Sequence, residues 1–209
     1  CNMKIKDMTL ENYMDILKSD SPAPGGGAVS ALTGAQGAAL VSMVCELTIP
    51  KEKYSKYRET CIAIRDDILK IYQKLVTGID KDAEAFGSLS SALKMPKGSE
   101  TEKAARNIAI QEATIAATEA PYEIMELCLS GLKITADAVG NSNPNVSSDL
   151  GVAALNFLAA VKSAYLNVKI NLPGIKEQEI KRRFETADGM IREAEALAEK
   201  IYTNVLGAL

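Results

Sequence analysis

Between Ala28 and Val44 the chain is apolar or small at almost every position, interrupted by Ser30, Thr33, Gln36 and Ser42. A stretch without a polar face predicts a central, buried helix, here residues 28–47, stopped by Pro50. The next pattern is one-sided. Tyr54, Tyr57, Cys61, Ile64, Ile68, Ile71 and Leu75 recur at spacings of three and four, which predicts an amphipathic helix over 51–76. Gly78 reads as its break, and Asp80-Lys81-Asp82 as the start of a further helix running to about residue 94, before Pro96. Ser99 or Thr101 with Glu102 signals a capped helix start, and Pro121 either kinks that helix or opens a new one over 122–139. The cluster Gly140-Asn141-Ser142-Asn143-Pro144-Asn145 interrupts the pattern. A second nearly all-apolar helix over 150–170 follows, ended by Asn171-Leu172-Pro173-Gly174. A last helix over 176–206 carries Ile180, Phe184, Ala187, Ile191, Ala194, Ala198, Ile201 and Val205 on one face. Near the N-terminus, Thr9 caps a short helix over 10–17. No segment alternates with period two. The expected fold is all-α: one domain over 1–209, an up-and-down bundle of long antiparallel helices. Two helices apolar all round in one modest domain imply that one of them is covered by a second copy, hence a homodimer.

Composition narrows the function classes. Aromatic residues make up 5% and Trp is absent, so the core is built from Ala, Leu, Ile and Val. A net charge of -3 and a pI near 5.2 argue against nucleic-acid binding by phosphate neutralisation. With no histidine, acid–base chemistry falls to Asp, Glu, Lys, Tyr, Ser or Cys. None of the four cysteines forms a Cys-x-x-Cys pair, so no zinc or redox motif is signalled. Cys45, Cys61 and Cys128 sit in helical apolar patterns as expected buried thiols. Free thiols and the lack of an apolar leader at Cys1-Asn2-Met3 suggest a cytoplasmic protein whose natural start is Met3. The apolar run 28–44 is short and polar for a membrane span.

Three segments carry candidate chemistry. Ser21-Pro22-Ala23-Pro24-Gly25-Gly26-Gly27 reads as a rigid approach, a stretch of bare backbone and a helix N-terminus. Such an end serves either packing or the binding of anions and oxygens. Asp149 follows Ser147 and Ser148 in the first turn of the second apolar helix. It is either a partner of the helix dipole or a carboxylate at a cleft mouth. Asp80, Asp82 and Glu84 invite the same two readings, and Lys97 beside Pro96 is a solvated cation or an anion anchor.

The motifs Ser21-Pro22-Ala23-Pro24-Gly25-Gly26-Gly27, Asp82-Ala83-Glu84-Ala85-Phe86, Met95-Pro96-Lys97 and 143–154, with Asn167-Val168-Lys169-Ile170-Asn171-Leu172-Pro173, run in order along nearly the whole chain. In them the sequence resembles the cyclodeaminase/cyclohydrolase family. That family comprises the C-terminal domain of formiminotransferase-cyclodeaminase and the stand-alone bacterial methenyltetrahydrofolate cyclohydrolases. The resemblance implies an all-helical dimer binding a tetrahydrofolate one-carbon derivative near the subunit interface, with no metal or further cofactor. The expected activity is hydrolysis of 5,10-methenyltetrahydrofolate to 10-formyltetrahydrofolate. The alternatives are cyclisation of 5-formiminotetrahydrofolate with loss of ammonia, and a non-catalytic folate-binding or structural dimer. Asp149 first and Asp82 second are the expected acid–base groups. Pro24, Gly25, Gly26, Gly27, Lys97, Asn143, Asn145 and Ser148 are the expected substrate contacts, and Lys97, Lys162 or Lys169 would meet the glutamate tail. The glycine segment and the 143–149 segment are expected to converge on one cleft if the helices they begin are antiparallel or come from different subunits.

Overall fold

The computed structural model describes residues 4–209; the expectation about Cys1, Asn2 and Met3 falls outside them. Seven α-helices follow one another: α1 (Leu10–Leu17), α2 (Gly26–Glu46), α3 (Arg58–Leu93), α4 (Glu100–Ala138), α5 (Ser148–Asn171), α6 (Gln178–Glu185) and α7 (Ala187–Leu206). Short 3-10 turns at Ile5–Asp7, Glu52–Tyr57, Pro144–Val146 and Leu172–Gly174 join or precede them, and no strand occurs among the described residues. The expected all-α bundle is therefore what forms.

The expected break at Gly78 is absent, and of the two readings of Pro121 the new helix does not form; both outcomes matter for the site. α3 runs straight through Gly78, so the 36-residue helix carries Asp80 and Asp82 in its interior. Gly in a helix interior costs about 1 kcal/mol relative to Ala, which packing readily offsets. Gly78 lies close to Ala31 of α2 and Ile124 of α4. α4 likewise continues through Pro121 for 39 residues after the Ser99/Glu102 capping box. Proline has no N–H, so the Ala117 carbonyl lacks its intrahelical donor. Asn171 Nδ2 fills that place from α5 at 3.0 Å. Conversely, the expected last helix is two, divided at Thr186. The Thr186 hydroxyl donates to the Arg183 carbonyl at 2.6 Å and shares a 2.7 Å hydrogen bond with the Tyr122 hydroxyl, which fixes the bend against α4.

α2 packs on α3 and α5, and α4 lies against α3, α5 and α7. α2 and α5 are antiparallel: Gly26 meets Asn167, and further along Gly37 meets Ala153 and Phe157. Phe157 is fully buried between α2 and α4, against Gly37 and Gly131. A Cβ on Gly131 would sit 2.5 Å from Phe157 Cζ, so the ring occupies the space of the missing side chain. At the far end of the bundle Asn143 is fully buried. Its N–H donates to Thr48 Oγ1 (3.0 Å), its Nδ2 to the Leu47 carbonyl (3.2 Å), and its Oδ1 accepts from Asn145 N–H (3.0 Å). This knot ties the C-terminus of α2 to the approach of α5. The three described cysteines are buried, and burial raises the Cys45 thiol to about 12.

Gly131→Ala is expected to destabilise the fold by roughly 1–3 kcal/mol through overpacking against Phe157. Urea unfolding of the variant measures the loss directly.

Candidate functional site

The glycine segment does not form a loop ahead of a helix. α2 begins at Gly26, so Gly26, Gly27 and Ala28 supply its unpaired first-turn N–H groups. Pro22 and Pro24 stiffen the approach, with Pro24 buried and the Ala23–Pro24 peptide cis. The middle of α3 crosses this helix start. A Cβ on Gly27 would fall inside the carboxyl group of Asp82, so the two helices meet here because residue 27 lacks a side chain. The Ala28 N–H donates to the Asp82 carboxylate. Burial raises the Asp82 pKa above the usual carboxylate value, and the Ala28 hydrogen bond only partly opposes that.

Around this carboxyl opens a cavity of about 270 Å³. Pro22, Ala23 and Gly25 to Gly27 form one wall, Asp82, Phe86 and Leu89 of α3 another, and Ala117, Asn167, Ile170 and Asn171 close it from α4 and α5, while the expected contact Pro24 is buried and does not line it. Asn167 Nδ2 donates to the Ser163 carbonyl (2.9 Å), and its amide lies beside the Cα of Gly26. The buried Ser30 hydroxyl donates to the Gly26 carbonyl (2.7 Å) and contacts Ser163 Oγ at 2.8 Å, holding the first turn of α2 against α5. The role of neighbouring Asp80 is structural. Its carboxylate accepts from Ile5 N–H at 2.8 Å and pins the N-terminal segment on α3.

The cleft gathers Pro24's neighbours Gly25, Gly26 and Gly27 with Asp82. Asp149, Asn143, Asn145 and Ser148 lie at the other end of α5, about 28 Å from Asn167 by helical rise. Within one protomer the two helix starts therefore do not converge, because antiparallel neighbours begin at opposite ends. Asn143 is fully buried with its polar groups turned into the interhelical knot, away from the cleft. Asn145 and Ser148 are exposed and Asp149 is half-buried. Lys97 lies in the exposed turn beyond Leu93, more than about 16 Å along α3 from Asp82. Lys162 pairs with Glu195 at 2.6 Å and Lys169 with Asp188 at 3.7 Å. Sequence reasoning does not single out Asn167, Asn171 and Phe86 as site residues. The available signal is two asparagines one turn apart on an otherwise apolar helix. A larger cavity of about 450 Å³ opens on the opposite side of α3, but two of its three lysines are paired, Lys70 with Asp67 and Lys81 with Glu123. Among the described residues no group of three Cys, Asp or Glu side chains is arranged to hold a metal.

A half-buried carboxyl facing a glycine-lined helix start defines a helical-bundle protein with a small-molecule cleft. A family model described as formiminotransferase-cyclodeaminase matches residues 9–188, and the chain belongs to this family. It is 39% identical over 198 residues to a methenyltetrahydrofolate cyclohydrolase of Methylorubrum extorquens, covering 94% of this chain and 95% of that one. It is 30% identical over 204 residues to the formimidoyltransferase-cyclodeaminase of Mus musculus, covering 97% of this chain but 37% of the longer mouse protein. The crystal structure of a formiminotetrahydrofolate cyclodeaminase from Thermotoga maritima superposes with a TM-score of 0.82 at 27% identity, over 99% of this chain and 98% of that one.

Gly26→Ala and Gly27→Ala are expected to part company in thermal unfolding. A Cβ at Gly26 meets only the Asn167 amide, at 3.4 Å, and alanine favours the helix. A Cβ at Gly27 must displace Asp82. Gly26→Ala should keep the wild-type melting temperature or exceed it, and Gly27→Ala should fall below it.

Proposed function

We propose that the protein hydrolyses the one-carbon bridge of 5,10-methenyltetrahydrofolate to give 10-formyltetrahydrofolate. The observation that carries this reading is full-length similarity to a methenyltetrahydrofolate cyclohydrolase, in a chain whose cleft holds a desolvated carboxyl. The bridge is a delocalised cation, so the partly desolvated Asp82 carboxylate lowers its energy. As water attacks the bridge carbon, Asp82 accepts its proton and a tetrahedral carbinol forms. When the bond to N-5 breaks, Asp82 gives N-5 the proton it took from water, takes up the carbinol proton in its place and releases that proton to solvent, the one net proton that hydrolysis of the cation liberates. A pKa raised by burial suits a group that must both take and return a proton. The second reading, cyclisation of 5-formiminotetrahydrofolate with release of ammonia, is favoured by the likeness to the Thermotoga maritima structure. It uses the same tetrahedral carbon and the same carboxyl.

A cavity of about 270 Å³ lies just below the roughly 300–1,000 Å³ of small-molecule sites, enough for a ring system and too small for a whole folate. The missing wall comes from a second copy. Val152, Leu155, Leu166 and Ile170 line one exposed stripe of α5, with Met43 and Leu47 exposed on the adjoining α2. Ile170 belongs both to this stripe and to the cleft. A two-fold axis in this face and perpendicular to the helices sets the 143–149 end of one copy beside the glycine end of the other. Asp149 then joins Asp82 across the interface, which reconciles the two acidic candidates.

Loss of the near-ultraviolet absorbance of 5,10-methenyltetrahydrofolate tests the activity, with ammonia release from 5-formiminotetrahydrofolate as the parallel arm. If neither substrate is consumed above the uncatalysed rate, the enzyme reading fails. Asp82→Asn is expected to lower turnover by about 10²–10⁴-fold. In the wild type the acid limb of kcat/KM should lie above the ordinary carboxylate range. Because the folded pKa is raised, stability linked to Asp82 is full below the unfolded pKa and declines as pH rises through the folded one. Asp82→Asn should therefore melt higher than the wild type near neutral pH, with the gap closing toward acid. Asp82→Asn and Asp149→Asn chains, each inactive, should regain about a quarter of wild-type activity when refolded together, since half the dimers are mixed and each holds one intact site. No recovery would refute the shared site.

A further inference from the structure

Resting on the folate reading, we infer that Asn167 and Asn171 are specificity-determining residues: a pair of fixed amide acceptors that read the hydrogen-bond donors of the pterin ring, the 2-amino group and a neighbouring ring N–H. The orientation of each amide is set by its own NH₂ group. Asn171 Nδ2 donates to the Ala117 carbonyl of α4 at 3.0 Å. That carbonyl lacks its intrahelical donor because residue 121 is proline. Asn167 Nδ2 donates to the Ser163 carbonyl at 2.9 Å. One N–H of each amide is engaged, which sets its orientation and leaves the oxygen without a donor at the cavity that both residues line. No donor among the described residues reaches either Oδ1.

The two residues stand one helical turn apart on α5, so their side chains emerge about 5–6 Å from each other on one face. Asp82 adds a third acceptor from α3. The first-turn N–H groups of α2 adjoin these acceptors, with Gly26 beside the Asn167 amide and Gly27 against Asp82. The acceptor side of the cleft is thus formed by α5 and α3. A ring with exocyclic amine and ring N–H groups along one edge satisfies the acceptor side. Phe86, Leu89 and Ile170 supply apolar surface for its faces. A ring carrying a carbonyl oxygen in place of the amine would set lone pairs against lone pairs and strand the asparagine oxygens.

Pterin and lumazine differ in this one respect, an amino group against an oxygen at position 2. Direct calorimetric titration of the whole protein with each ring, in the absence of substrate, is the test. The wild type is expected to bind pterin at least about tenfold tighter than lumazine. Asn171→Leu and Asn167→Leu should each weaken pterin and leave lumazine little changed, bringing the ratio toward one. A merely structural role would weaken both rings equally, and the ratio would persist. A wild-type protein that binds the two rings equally or binds neither, or variants that keep the full preference, would overturn the assignment. Turnover of 5,10-methenyltetrahydrofolate by the same preparation separates the two claims. Turnover without ring discrimination refutes the asparagine assignment alone. Discrimination without turnover of either folate refutes the enzyme reading and leaves the asparagine pair as a ring-binding device.

Discussion

Asp82 enters the first turn of α2 through the space of a side chain that residue 27 does not have. That approach sets the geometry of the whole cleft end. α2 must begin where α3 is already in mid-course, so α3 cannot stop at Gly78. The carboxylate takes the Ala28 N–H, which gives the helix start an anionic partner and gives the anion a donor. Water is excluded strongly enough that desolvation still dominates, and the group remains easier to protonate than an exposed aspartate. A carboxyl held in this way is poorly placed for stability and well placed for proton transfer, the usual relation between a functional site and its fold.

Most of the fold was legible in periodicity. The α1 cap, the stripe of α3, the Ser99/Glu102 box and the Gly140 turn each follow from local rules, and each is present. The misses share one cause. Gly78 and Pro121 are helix breakers by local propensity, and tertiary partners overrode both: close packing on Ala31 and Ile124 in one case, an amide from another helix in the other. Thr186 is the converse, an ordinary residue locally that becomes a bend through Tyr122 of α4.

Half of the candidate site was legible for the same reason. Glycines followed by an apolar helix mark a helix start, and an acidic residue in a distinctive motif marks Asp82, but nothing local says that the two touch. Their separation of 55 residues in sequence is bridged only by the packing of α2 on α3. The 143–149 segment has equally strong local signals, and the bundle puts it at the opposite end. Asn143 shows how such a signal misleads. A buried asparagine beside a proline and a helix start has the composition of a ligand contact, yet two of its hydrogen bonds tie the end of α2 to the approach of α5 and the third fixes the local turn at Asn145.

The antiparallel pairing of α2 and α5 links these two ends. It separates Asp82 from Asp149 within one chain, and it also leaves α5 with an apolar stripe facing outward at Val152, Leu155, Leu166 and Ile170, beside Met43 near the end of α2. A face of that kind, on helices with a buried partner on the other side, is costly to leave in water. Covering it with a copy turned end for end puts the second acidic helix start beside the first, at the place where the cleft is too small for its ligand. The constraint that splits the site in the protomer is thus the one that would reassemble it in the proposed dimer. Pro121 extends the same logic. A residue that weakens α4 locally frees a carbonyl, the carbonyl orients Asn171, and the loss in one helix becomes recognition at the boundary of three.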